Sequence, residues 1–573
     1  MSNKKPFEPD WYEGPIPPKS YRSIFKWGGA DEYKHPNLHL YELMKEVFEM
    51  TDEDFRAPVN LGLEEVSFDV PITLSGEHLK AITSIVGTEN VATDDYSRLR
   101  ASYGKMIYDN IRLREGIVEN LPDIVVYPRH KQDVSEIIGY CNRHKIAVYP
   151  RGGGSGVMRA TECVHGGISL DLTKHMNRIL TLNEVNHTIT VEPGMYLPDL
   201  EARLNKAPEF FGASRRYTAG YLPQSFIGAT VGGSVVTRGA GQNSTYYGKI
   251  EDLVLCQEYV TPAGDIKTKE FPRAAVGPSI DQIMIGSEGT YGVLVSVTLK
   301  IFRYTPETTQ RFSYIFPTWS NGLAASREMM QSRFGYPSVL RISDPEETDV
   351  ALKLYGVEDT ILDKMMDARG YKRMERCLML GMSEGEENFA KNVKRQINRI
   401  AKRYGAMNTT GYVAKSWEKG RFTDPFMRED LHDYGIIIDT LECAVAWDKI
   451  ESLWAETRKV CKARPKTVVM SHSSHFYPQG TNLYFIFIGC FETIDEYLDY
   501  QASIIDSIRA NGGALSHHHG IGKMLAPWYQ DAMGENHVAV LRALKRHFDP
   551  NNIMNPGGTL ALDLEESFRR PIE

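Results

Sequence analysis

Two loops about 360 residues apart constrain this chain more than any other feature of it. The first, Pro150-Arg151-Gly152-Gly153-Gly154-Ser155-Gly156, follows an apolar run; the second is Ser516-His517-His518-His519-Gly520-Ile521-Gly522-Lys523. Consecutive glycines after a strand let the backbone approach closely and aim several N–H groups at one anion, which is what a pyrophosphate requires. The first loop fits neither G-x-x-x-x-G-K-[ST] nor a clean G-x-G-x-x-G, so a P-loop or Rossmann nucleotide site is disfavoured and a plain turn is the simple alternative. A fold that uses both loops must return the far end of the chain to the first.

With 573 residues the chain calls for two or three domains. A formal charge of -8 gives no basic face for nucleic acid. The seven cysteines are scattered, without a C-x-x-C pair, so neither a disulfide framework nor a structural zinc site is expected and a reducing cytoplasm fits best. No run of 18 apolar residues occurs, the start Met1-Ser2-Asn3-Lys4-Lys5-Pro6 lacks the apolar stretch of a leader, and the end Arg569-Arg570-Pro571-Ile572-Glu573 carries no peroxisomal address.

Residues 1–118 read as an aromatic, proline-rich arm with one charged helical stretch. Ile124-Val125-Val126-Tyr127, the helical spacing of Val134, Ile137, Ile138 and Cys141, and Ile146-Ala147-Val148-Tyr149 then read as strand, helix, strand, leading into the glycine loop. Further strands are expected at Ile168 to Asp171, Thr188 to Val191, Val231 to Val236 and Gly292 to Lys300. The spans 119–303, 304–510 and 511–573 read as a two-lobed α+β domain, a helix-and-sheet cap and a segment that returns to the first loop. Three further segments of small and hydroxyl residues accompany that loop: Thr230 to Gly233, Thr237-Arg238-Gly239-Ala240-Gly241, and Gly286 to Leu294. One extended ligand threaded between the lobes accounts for all of them.

These segments resemble the FAD-binding domain of the vanillyl-alcohol oxidase superfamily, of the PCMH type. The remainder resembles its alkyldihydroxyacetonephosphate synthase branch, from about Tyr96 to Thr559, through Arg100 to Lys105, Asp109 to Gly116, Tyr247 to Leu253, Pro425-Phe426-Met427-Arg428-Glu429-Asp430 and Asn511 to His519. The resemblance implies FAD held by Pro150, Arg151, Gly152, Gly153, Gly154, Ser155, Gly156, Gln224, Ser225, Thr230, Gly232, Gly233, Thr237, Arg238, Gly239, Ala240, Glu288, Gly289, Thr290, Tyr291, Gly292, Val293 and Leu294. It implies exchange of the acyl chain of an acyl-dihydroxyacetone phosphate for a long-chain alcohol, without net oxidation of the flavin. The alternative is an FAD-linked oxidase or dehydrogenase of a 2-hydroxy acid or other alcohol. A lipid substrate is compatible with peripheral membrane contact, and a homodimer is compatible with the chain.

The triplet His517, His518 and His519 reads as a solvated turn, a metal site, or groups for proton transfer or phosphate binding. On an extended segment adjacent side chains alternate between faces, so no metal is expected. The related D-lactate and glycolate dehydrogenases carry an acidic residue where His518 stands and histidines where Tyr477 and Tyr484 stand, which removes the metal-ligand set. By the same resemblance Tyr484, inside an apolar run, is the catalytic tyrosine; Arg428 holds the leaving carboxylate with a bidentate fork; and Arg341 is a further site residue. Tyr221 replaces a family histidine and cannot act as a base near neutral pH. The glycine loop has no histidine or cysteine to tether a flavin, so the FAD is expected to be non-covalent: acid precipitation should release all yellow colour into the supernatant, as measured by absorbance of pellet and supernatant.

Overall fold

The computed structural model describes residues 5–571 apart from 6, 10 and 12–14. Met1 to Lys4, Pro6, Ile572 and Glu573, on which the readings of the two termini partly rest, lie outside the described residues. Among the described residues no helix is long and apolar enough to cross a membrane.

The first lobe is a four-stranded sheet in which Ile124–Val126 and Val148–Arg151 flank Ile168–Asp171 in parallel. Parallel strands need a crossover, and the helix Lys131–His144 supplies it, burying Val134, Ile137, Ile138 and Cys141 on the sheet. The strand Val148–Arg151 runs into the glycine loop, so the loop lies at a carboxyl-terminal strand end, where ligands of parallel sheets bind. The C-terminal segment joins this lobe: Val148 N–H donates to the Ile553 carbonyl at 2.7 Å and Asn555 N–H to the Val148 carbonyl at 2.8 Å. The second lobe is a five-stranded antiparallel sheet in the order Ile179–Asn183, Thr188–Val191, Val293–Lys300, Val254–Thr261, Gly264–Lys267.

The run Val231–Val236, expected as a strand, is a helix. Thr230 caps it, its Oγ1 accepting from Gly233 N–H, and a short apolar run cannot by itself distinguish the two states.

The cap is a seven-stranded antiparallel sheet in the order Met407–Asn408, Gln310–Phe316, Cys377–Ser383, Val339–Ser343, Val468–Tyr477, Gly480–Gly489, Ile437–Ala446. Its two faces differ in kind. Leu441, Cys443, Leu483, Phe485 and Phe487 face one way, into a core shared with the helices Ile450–Ala463 and Ile494–Ala510. On the other face Val468, Met470, Ile438 and Ile488 are covered by the helix Leu38–Phe48 of the N-terminal arm. The same face also carries Glu442, Tyr484 and His472, all buried.

The arm is also fastened by charge. Arg22 pairs with Asp430 at 2.7 Å and with Asp433 at 2.9 Å, Lys26 with Asp430 at 3.0 Å, and Arg114 with Asp433 at 2.8 Å, every one of these side chains buried. Removing one partner of a buried pair strands the others. Asp430→Asn should therefore destabilise the protein by about 3–5 kcal/mol, measured by urea unfolding.

Candidate active site

Sheet register builds the site. Glu442 stands opposite Tyr484, and Tyr484 opposite His472, so the three side chains leave one face in one row. Arg341, opposite Ser474, leaves the same face.

Glu442 organises the histidine loop. Its Oε1 accepts from Ser516 Oγ at 2.6 Å and from the N–H groups of His517, His518 and His519 at 3.0, 3.1 and 3.1 Å. Its Oε2 accepts from Asn482 Nδ2 at 2.7 Å and again from His517 N–H at 2.8 Å. Burial opposes ionisation of Glu442, but the hydrogen bonds donated to it, that of the Ser516 hydroxyl among them, hold its carboxyl well below the usual range. Three successive N–H groups on one carboxylate curl the backbone, so the triplet is not extended and its rings gather on one side, with neighbouring centroids 5.2 and 4.7 Å apart. This corrects the alternating arrangement expected from the sequence. Glu442, His517 and His518 bring three metal-capable atoms within 4.8 Å of one another, yet both Glu442 oxygens are already taken by donors.

The Tyr484 phenol sits between two members of the triplet, 3.0 Å from His518 Nε2 and 2.7 Å from His519 Nε2. Its ring stacks on His472, centroids 4.8 Å apart and planes 12° from parallel. Burial, reinforced by Glu442, raises its pKa well above the ordinary value, so the hydroxyl is a proton donor. Burial likewise lowers the imidazoles, His517 to about 3 and His518 well below its ordinary value, leaving neutral rings with one donor and one acceptor nitrogen each. Arg341 pairs with Glu347, whose other oxygen lies 3.1 Å from His472 Nδ1. Burial opposes the charge on Glu347, but His472 and Arg341 hold its carboxyl at about 2.

His475 and Tyr477 complete the pocket. The register slips between Ser474 and Tyr477, and in this bulge His475 adopts φ +52°. Its Nδ1 lies 2.7 Å from Ser244 Oγ, and its ring is 5.0 Å from those of His517 and His518. The Tyr477 hydroxyl lies 2.7 Å from His517 Nε2.

Two expected residues stand elsewhere. Tyr221 packs in the apolar core of the second lobe with Val231 and Val235, its hydroxyl so close to Gly239 that any β-carbon there would run into it. Arg428 has its Nε on Glu429 at 2.7 Å and its Nη2 on the Lys105 carbonyl at 2.6 Å, so its fork is engaged inside the protein. Glu442, Glu347, His472 and His475 were missed in the sequence; polar residues breaking the apolar strand Val468–Tyr477 were the available signal.

The glycine loop fits a pyrophosphate. A β-carbon on Gly153 would collide with the Gly228 carbonyl and one on Gly152 with Thr230 Oγ1, so backbone lies on backbone between Gly152–Gly154 and the turn leading to the Thr230 cap. Arg151 Nε and Ser287 Oγ are buried without a partner, ready for an anion. Gln224 and Arg238 are exposed, Arg238 facing Gln282 at 3.1 Å. The side chains of Tyr291, Val293 and Leu294 are in the cores. Glu288 serves the histidine loop, accepting from Ile521 N–H at 2.7 Å and Gly522 N–H at 2.8 Å.

An FAD binding domain model matches residues 122–269, and a model for the C-terminal domain of FAD linked oxidases matches residues 305–559. The chain belongs to the FAD-linked oxidase family, a class of flavoenzymes, and FAD is its cofactor. Within that class it is similar to the alkyldihydroxyacetonephosphate synthase of Caenorhabditis elegans, 31% identical over 80% of this chain and 79% of that one. It is also 32% identical to the uncharacterized FAD-linked oxidoreductase YgcU of Escherichia coli K12, over 83% of this chain and 96% of that one. A solved alkyldihydroxyacetonephosphate synthase structure shares the fold, with TM-score 0.79 and 24% identity over 94% of this chain and 99% of that one.

Burial raises Glu288 from 4.5 to about 7. The folded state thus binds its proton more tightly than the unfolded state does, and the resulting stability, complete below pH 4.5, is lost as pH rises through about 7. Thermal unfolding from pH 4 to 8 should show the gap between wild type and Glu288→Gln narrowing or reversing over that window, in favour of the variant at high pH.

Proposed function

We propose that this protein is an FAD-dependent alkyl transferase that exchanges the acyl chain of an acyl-dihydroxyacetone phosphate for a long-chain alcohol. The observation that carries the reading is the Tyr484 phenol held between His518 and His519, with the loop that presents them anchored on Glu442. The synthase relatives, which match most of the chain, support it.

When bound, FAD supplies a nucleophilic, redox-capable ring. The chain does the rest. The glycine loop with Arg151 and Ser287 would take the pyrophosphate. Exchange requires a proton to leave the incoming alcohol, and Tyr484 accepts it as its own phenolic proton passes to His518 Nε2. Arg341, which leaves the same sheet face as Tyr484 and pairs with Glu347, is a candidate cation to steady the departing carboxylate. Arg428, expected in that role, instead holds Glu429 and the Lys105 carbonyl, and so joins the arm to the cap. The pocket is buried and its imidazoles neutral, which suits proton transfer more than permanent charge.

A second reading is net oxidation of a hydroxy acid or other alcohol. It is favoured by the match to an FAD-linked oxidoreductase.

Palmitoyl-dihydroxyacetone phosphate with labelled hexadecanol should give a labelled ether lipid and free fatty acid without any electron acceptor. Turnover only with an acceptor would establish the second reading. Tyr484→Phe, which keeps the ring stacked on His472, should retain FAD and lose about 10²–10⁴-fold in turnover, followed by product chromatography.

A further inference from the structure

A second pocket lies away from the active site. The strand Gln310–Phe316 is next to the edge of the cap sheet, and its Tyr314 stands opposite Asn408 of the edge strand on one side and opposite Met379 on the other. Met379 is opposite Ile342, the neighbour of Arg341 in its strand, so Tyr314 and Asn408 leave the face opposite to the one that carries Arg341 and Tyr484. The helix Glu387–Arg403 packs on that face through Val393, Ile397, Ile400 and Ala401. Beside this buried stripe runs a second one, Lys391, Lys394, Arg395 and Asn398, at the i, i+3, i+4, i+7 spacing of a single helix face. Between it and the sheet edge is a cavity of about 360 Å³ whose wall includes these four residues, Tyr314 and Asn408; among the described residues no carboxylate lines it.

Two features of this cavity point to a ligand. The hydroxyl of Tyr314, a residue only 1% exposed, has no hydrogen-bond partner, and neither has the buried Asn398 Oδ1. Folded proteins pair nearly all their buried polar groups, so an unpaired hydroxyl on a cavity wall marks a position that something else completes. Phenylalanine would fill the core as well without the oxygen. Burial pushes the phenol up to about 12, so it stays protonated and donates. Charge is the second feature. The helix carries six lysines and arginines against one glutamate, and three of the six line the cavity. Lys391 is shared with Glu387 at 2.5 Å, and Arg395 Nη2 donates to Asn392 Oδ1 at 2.7 Å, which leaves the rest of its fork. Asn408 Oδ1 accepts from Thr410 N–H at 2.7 Å, which leaves its Nδ2 as a donor. Two ammonium groups, a guanidinium, an amide N–H and a phenol are more donors than the two oxygens of a carboxylate can use. A phosphate monoester has three terminal oxygens to accept from them and, when monoprotonated, an O–H to give to Asn398 Oδ1.

We propose that this cavity binds a phosphate group, inorganic or as a monoester, at a site of the cap distinct from both the Tyr484 pocket and the glycine loop. Lys394 and Arg395 supply most of the charge, the Tyr314 hydroxyl and the Asn408 amide donate from the sheet, and the O–H of the phosphate donates to Asn398. The site does not depend on which reaction takes place at Tyr484. The same group exists free in solution and as the headgroup of phosphatidic acid in a bilayer, and the two sources are separable by experiment.

The test uses the FAD-loaded full chain as wild type, as Tyr314→Phe and as the double variant Lys394→Ala/Arg395→Ala, whose changes lie on the half-exposed stripe of the helix. Inorganic phosphate, titrated by calorimetry in a phosphate-free buffer, should bind Tyr314→Phe about tenfold more weakly than wild type and the double variant more weakly still. Flavin spectrum and turnover should stay at the wild-type level in the double variant, which separates this site from phosphate held near the flavin. Without phosphate Tyr314→Phe should melt no lower than wild type, since it removes an unpaired hydroxyl, and the rise in Tm on adding phosphate should shrink in it. Sedimentation with phosphatidylcholine vesicles that contain phosphatidic acid, lost in the double variant, would place the phosphate on a lipid; titration by inorganic phosphate without sedimentation would place it on a soluble ligand. Phosphate and vesicle binding both unchanged in the double variant, or a Tyr314→Phe that melts lower than wild type without phosphate, would overturn the proposal.

Discussion

The Glu442 carboxylate is the interaction on which the site depends. It is buried and accepts from Ser516, from three successive histidine N–H groups and from Asn482. Charge-assisted hydrogen bonds are stronger than neutral ones, and a buried carboxylate left without donors would be strongly destabilising. The loop and the sheet are therefore mutually obligatory. Without the curl at Glu442 the three imidazoles would point apart; with it, two of them reach a single phenol.

A second carboxylate secures the same loop from the other side. Glu288 accepts from Ile521 and Gly522, while Lys523 N–H donates to the Met158 carbonyl at 3.0 Å and the Lys249 ammonium donates to the His517 carbonyl at 2.7 Å. The loop from Ser516 to Lys523 is thus held by the cap through Glu442 and by the FAD-binding region through Glu288, Met158 and Lys249. The His475 bulge is a third junction of the two, through Ser244 and Thr245. These contacts place the chemistry at the boundary between the flavin region and the cap, on regular sheet, where side chains are held more rigidly than on free loops.

The arm packs further along the strands that carry the site, over Ile438, Ile488 and Val468. Its cations meet Asp430 and Asp433, on the segment that also carries Arg428 and Glu429, and Lys105 donates to the Ile24 carbonyl while its own carbonyl receives Arg428. Arg428, which by resemblance holds the leaving carboxylate, has its guanidinium on Glu429 and the Lys105 carbonyl. Tyr221 teaches the same point, because its hydroxyl fills the space a β-carbon on Gly239 would need.

Much was legible in the sequence alone. The helical spacing of Val134, Ile137, Ile138 and Cys141 between two apolar runs gave the first lobe, and the glycines after Tyr149 marked the anion loop, because period and backbone freedom are local properties. Tyr484 and the triplet were recognised through resemblance, and the structure brings them into contact. What the sequence could not supply was anything set by register or by a distant partner. Val231–Val236 became a helix through the Thr230 cap, and the triplet curled because a glutamate 75 residues away accepts the His517 N–H. The roles of Glu442, Glu347, His472 and His475 exist only once antiparallel pairing puts their side chains on one buried face and a bulge turns one of them. Tertiary structure decided these, because a hydrogen bond between residues far apart in the chain has no signature until the backbone brings its two ends together.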